Sequence, residues 1–93
     1  MLSKAFELGQ VVLSTQGHDK GKSYVVVKVE DERVLVCDGT YKCIKNPKRK
    51  NPNHLKTTAV VDEILNSKLK DGLKINDQMI YHTLLKFKKS NKE

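Results

Sequence analysis

Ninety-three residues, 38% hydrophobic and 31% charged, with a net charge of +7 and two cysteines, make one small domain with a thin core. That balance argues against a multidomain enzyme with a deep substrate cavity and against a disulfide framework. No apolar run approaches the ~18–20 residues of a membrane span.

The charge is unevenly placed. Residues 1–38 are close to neutral, with five basic and six acidic side chains, whereas residues 39–61 carry six basic side chains and no acid. A segment of that kind is suited to lie against a polyanion. The first residues, Lys4 and Glu7 among them, lack the apolar stretch of a secretory signal, so a cytoplasmic setting is expected.

Gly9 to Ser14 reads as a strand, ended by the loop Gly17-His18-Asp19-Lys20-Gly21. The β-branched and aromatic run from Tyr24 to Val29 reads as a second strand. Glu30-Asp31-Glu32 is a polar turn, and Val34 to Cys37 is a third strand. Asp38-Gly39 predicts a type I′ hairpin, which needs φ > 0 at both central residues. A fourth strand from Thr40 to Ile44 follows, and this register places Val34, Val36, Tyr41 and Cys43 on one core face. Leu13, Val25 and Val27 are expected to join Val34 and Val36 in the core. Leu55 to Thr57 predicts a short closing strand.

Beyond residue 58 the period changes. Val61, Ile64, Leu65 and Leu69 recur at helical spacing, predicting a helix over about 59–70 that stops at Gly72. A second helix is predicted over 76–88, with Asn76 as N-cap, Ile75 stapled to Ile80, and a stripe of Ile80, Leu84 and Phe87. Lys86, Lys88 and Lys89 fall in its last turn, where the helix dipole favours cations. The tail beyond it is polar. The organisation is therefore a small β-barrel over residues 1–58, with a basic loop at 42–56, and a helical C-terminal extension over 59–93.

Two segments carry the functional expectation. In the first loop, Gly17 and Gly21 allow backbone amides to approach a ligand, with Lys20 and Lys22 at hand for phosphate oxygens. In Lys45-Asn46-Pro47-Lys48-Arg49-Lys50-Asn51-Pro52-Asn53-His54, the two prolines block a regular helix and hold the chain extended, so that the side chains between them project outward. Lys48, Arg49 and Lys50 are expected to supply most of the phosphate attraction, flanked by Lys42, Lys45 and Lys56.

Gly9 to Val27 resembles a KOW motif, the RNA-contacting hairpin of several SH3-like barrels in ribosomal and elongation proteins. Gly9-Gln10-Val11-Val12, Gly17-His18-Asp19-Lys20-Gly21, Asp38-Gly39, Pro47-Lys48-Arg49-Lys50-Asn51 and His54-Leu55 occur in that order. Together they resemble small bacterial KOW-domain proteins that are similar to archaeal and eukaryotic-type large-subunit ribosomal proteins. The resemblance covers about residues 8–58 well and the helices more loosely. It implies a mainly β, SH3-like barrel followed by one or two short helices. It further implies binding to structured RNA, namely ribosomal RNA of the large subunit, as a ribosomal protein-like component or assembly factor. No catalysis and no cofactor are implied. His18 stands where many relatives carry Arg, so a contact there depends on the charge of the imidazole.

The expected RNA-binding residues are Gly17, His18, Lys20, Gly21, Lys22, Lys42, Lys45, Lys48, Arg49, Lys50, Asn51, His54 and Lys56. The expected protein is cytoplasmic, ribosome-associated and monomeric off the RNA, with possible protein contacts through its helices. A zinc site from Cys37, Cys43, His18 and His54 fits no standard ligand spacing, and no catalytic constellation is visible. The competing function is an SH3-like protein-binding module acting through the helices. Aromatic grooves and cages characterise such modules, and Tyr41, Tyr81 and Phe87 are assigned to core faces, leaving only Phe6 and Tyr24. The same scarcity argues against serial base stacking on single strands.

Overall fold

Apolar residues on both faces of the strands set the architecture. In the computed structural model, which describes residues 6–90, five antiparallel strands form one sheet: β1 (Gln10–Ser14), β2 (Ser23–Val29), β3 (Val34–Cys37), β4 (Lys48–Lys50) and β5 (Leu55–Val61). The spatial order is β4-β3-β2-β1-β5. Two helices follow, α1 (Glu63–Lys70) and α2 (Asp77–Ser90). Among the described residues no ladder joins β4 to β5, so the sheet has two edges.

Successive side chains of a strand point to opposite faces, and here both faces are buried. Val12, Tyr24, Val26, Val34, Val36 and Leu55 form one cluster. It unites Leu55, on an edge strand, with β3, which is not its ladder neighbour, so the sheet curls around these residues. Val11, Val25 and Cys37 point the other way and meet Leu65, Ile80 and Leu84 of the helices. Register shifts at Val26/Lys28 and at Gln10/Val12 mark irregularities of the kind that bend strands and increase their twist.

Both helices start on side-chain caps. Asp62 Oδ1 accepts from Leu65 N at 3.0 Å, and its other oxygen accepts from Thr83 Oγ1 of α2 at 2.7 Å. Burial alone would raise the Asp62 carboxyl, but these bonds, with the Ile64 amide and nearby Lys86, hold it below its ordinary value. Asn76 Oδ1 accepts from Met79 N at 2.9 Å, as expected of an N-cap. The end of α1 is closed by Gly72 N–H to Leu69 O and Leu73 N–H to Lys68 O, the paired bonds of a Schellman motif. No helix among the described residues is long and apolar enough to cross a membrane.

Three expectations need correction. The closing strand runs to Val61, so α1 begins at Glu63 rather than near 59, and Ile64 is exposed. Residues 40–44 are not a strand, because the partner of β3 is the basic segment itself, with Val34 opposite Lys50 and Val36 opposite Lys48. The turn at Asp38-Gly39 is not type I′, since only Gly39 has positive φ. Asp38 instead folds the following residues around its own carboxylate: Oδ1 accepts from Thr40 N at 2.9 Å and from Lys42 N at 2.8 Å, an Asx-type closure. Tyr41 is thereby turned out of the core to 83% exposure, and Cys43 is only half-buried. Leu13 and Val27 are also only partly buried.

Gly39 is where this segment meets α2. A Cβ there would lie 2.6 Å from Asp77 O and 2.8 Å from Tyr81 N, at φ +80°. Gly39→Val should therefore cost about 2–4 kcal/mol, from left-handed strain plus the collision. At Gly72, also at positive φ, nothing lies within 4 Å of a built Cβ, so Gly72→Val should cost only the backbone share, about 1–2 kcal/mol. Urea midpoints of the two variants measure this; equal shifts would contradict the close packing at Gly39.

Candidate nucleic-acid interface

The β1–β2 loop is a tight hairpin. Ser14 N–H donates to Lys22 O, Gly21 N–H to Ser14 O, Lys22 N–H to Asp19 O and Lys20 N–H to Gly17 O. Gly17 and Gly21 adopt the positive φ expected of them. The amides of Lys20, Gly21 and Lys22 are thus engaged within the loop, and a phosphate cradle built on them is not what this conformation offers.

The loop turns Asp19 inward instead. At 8% exposure, its carboxylate accepts from Ser14 Oγ (2.9 Å), Tyr24 OH (2.8 Å), Lys48 Nζ (2.9 Å) and Lys50 Nζ (3.2 Å). Lys50 Nζ also donates to Ser14 Oγ at 3.1 Å. Burial by itself would push the carboxyl up, yet the bonds from Lys48, Tyr24, Ser14 and Lys50 together hold it well below its ordinary value of 3.8. Tyr24, buried and donating to that carboxylate, has its phenol pushed well up, by desolvation first and Asp19 second.

This network revises the basic segment. The chain between Pro47 and Pro52 is extended, as expected, but strand alternation sends Lys48 and Lys50 to one side and Arg49 to the other. Lys50 is 7% exposed and structural. Lys48 shares the same carboxylate. Of the three, Arg49 projects to solvent, its side chain 70% exposed and its Nε 3.8 Å from Glu30 Oε1. An ion pair so long and so open is worth little.

A shallow cleft of about 530 Å³ lies over this network, between the β1–β2 loop and the turn after β3. Gly17, His18, Lys22, Lys42, Lys48, Lys50 and His54 all line it, so seven of the thirteen expected residues come together. Gly21 borders the neighbouring groove with Lys22. Lys20, Lys45 and Lys56 are exposed but do not line the cleft. Asn51 caps the 3₁₀ turn Pro52–His54, its Oδ1 accepting from Asn53 N at 2.9 Å. Its side chain already serves the fold.

Two residues at the site were assigned wrongly on sequence. Tyr41, expected in the core, lines both the cleft and the groove, with Lys22 Nζ 5.4 Å from its ring centroid. Tyr81, also expected in the core, is 44% exposed and lines the groove. An aromatic inside an acid-free basic segment is the signal that points to Tyr41. Cys37 is buried, its thiol pushed up to about 12 by burial first and by Asp77 and Asp38 next, and so behaves as a small hydrophobe. No group of three or more His, Cys, Asp or Glu among the described residues could hold a metal ion.

Compared with known proteins, the chain matches no family model and no curated sequence at a significant level.

The Asp19 network makes a pH prediction. A carboxylate held below its ordinary value contributes stability that is complete at neutral pH and lost as pH falls through 3.8 toward its folded value. The stability gap between the native protein and Asp19→Asn should therefore be largest near about pH 7 and shrink toward about pH 3. Lys50→Met should cost about 2–3 kcal/mol, by leaving buried charge less well paired, against about 0.5 or less for Arg49→Ala. Urea midpoints across pH provide the check, and a gap that does not change with pH would contradict the ionised hub.

Proposed function

We propose that this chain binds structured RNA through the cleft over Asp19, and that it is an SH3-like KOW domain acting on ribosomal RNA of the large subunit, without catalysis. One observation carries the reading: the cleft holds two acids, and both are already engaged. Asp19 is occupied by two lysines, a tyrosine and a serine. Asp38 is occupied by the amides of its own turn. Lys22, Lys42, His18 and His54 stand around them, so the cleft presents positive charge and hydrogen-bond donors to solvent.

A shallow, open, cationic surface suits phosphates and 2′-hydroxyls across the wide minor groove of A-form RNA. Support for the SH3-like reading comes from the meander, in which β5 returns beside β1 after a 3₁₀ turn, and from the curl of the sheet around one apolar cluster. The ribosomal assignment rests on the KOW-type resemblance of residues 8–58. The apolar stripes of α1 and α2 pack on the sheet, which makes the helices poorer candidates for the main partner surface.

Lys22 and Lys42 in the cleft, with exposed Lys20 of the β1–β2 loop, would neutralise about three phosphates, so log K should fall against log salt with a slope of about −3. Lys22→Ala with Lys42→Ala should weaken binding to ribosomal RNA about tenfold or more, and make the slope shallower by about 2. The melting temperature should stay unchanged. Filter binding over a salt series tests this; a double variant that binds undiminished would remove the cleft from the mechanism.

A further inference from the structure

Between the cleft and α2 lies a second groove, of about 310 Å³, bordered by Lys22, Ser23, Tyr41, Tyr81 and Lys88. We propose that this groove takes one unpaired base of the RNA, stacked on Tyr41, with its phosphate held by Lys22 and Lys42. The inference rests on the RNA-binding reading and adds to it the chemical class of nucleotide the surface selects.

Single exposed apolar side chains are ordinary on a protein surface. Tyr41 differs in how it is held. The amides on both sides of it, Thr40 N and Lys42 N, donate to one oxygen of Asp38. Gly39 is packed against the first turn of α2, and Ile44 N–H donates to Asp77 Oδ1 at 2.8 Å. The 38–44 turn is therefore bolted to the fold at both ends, with an 83% exposed ring at its tip. A ring presented this way loses little conformational freedom when a flat ligand lands on it.

The surroundings suit a nucleotide. Lys22 Nζ lies over one face of the Tyr41 ring, 5.4 Å from its centroid, so a base that takes that face displaces the ammonium, which stays within reach of the same nucleotide's phosphate. Tyr81 supplies a second aromatic wall from α2. A paired base inside a duplex has its faces covered by its neighbours, so only a bulged, looped or terminal nucleotide can stack here.

The experiment compares two short RNA hairpins at low salt, identical except that one carries a single bulged 2-aminopurine. The native protein should prefer the bulged hairpin and change its 2-aminopurine fluorescence. Tyr41→Ala, at an exposed position that should leave folding intact, should bind the bulged hairpin about tenfold more weakly, within the range of base–aromatic stacking. It should bind the paired hairpin like the native protein, and Tyr41→Phe should restore the preference. If Tyr41→Ala matches the native protein on the bulged hairpin, stacking is overturned while phosphate binding stands. If the native protein binds neither hairpin, the RNA reading fails, and this inference with it.

Discussion

The carboxylate of Asp19 is the constraint on which the rest of this small structure depends. It lies in the β1–β2 loop yet bonds Lys48 and Lys50 of β4, a strand two places away from β2 in the sheet. β4 is three residues long, wholly basic, and laddered on one side only. Such a strand has little packing of its own. Its two inward lysines reach across the curled sheet to a buried anion, which draws an edge toward the β1–β2 hairpin with no backbone ladder to do so. Tyr24 and Ser14 complete the site, so that the buried charges are both paired and hydrogen-bonded, the condition under which they are tolerated.

That arrangement divides the basic residues into two kinds. Lys50 belongs to the fold, Lys48 serves the fold first, and the surface charge falls to Lys22, Lys42 and the lysines around them. The charged strand β4, flanked by Pro47 and Pro52, also guards that sheet edge against pairing with other chains. The turn between β3 and β4 is hung on α2 rather than on the sheet. The helices therefore shape the proposed RNA surface even though their apolar faces are buried.

Much of this order was legible. Strands β1 to β3 followed from β-branched runs, and α2 from Asn76 and its apolar stripe, because those signals are local. The partner of β3 was not legible. Asp38-Gly39 pointed to a hairpin with Thr40 to Ile44, and nothing local favours a Lys-Arg-Lys strand, whose pairing depends on a carboxylate 29 residues away. That error put Tyr41 in the core, whereas it faces solvent. Tyr24, left spare on sequence, is buried on Asp19, whose inward turn no local signal shows. Charge clustering marks a basic segment but could not tell which of its lysines face inward, since strand parity is set by register.

The most direct test of the account is sedimentation of the tagged protein from its own cells through a gradient, at low and moderate salt, with and without RNase. The account predicts migration with the large ribosomal subunit, weakening as salt rises, and release to the top of the gradient by RNase. A protein that stays near the top whatever the salt, and is unmoved by RNase, would contradict it.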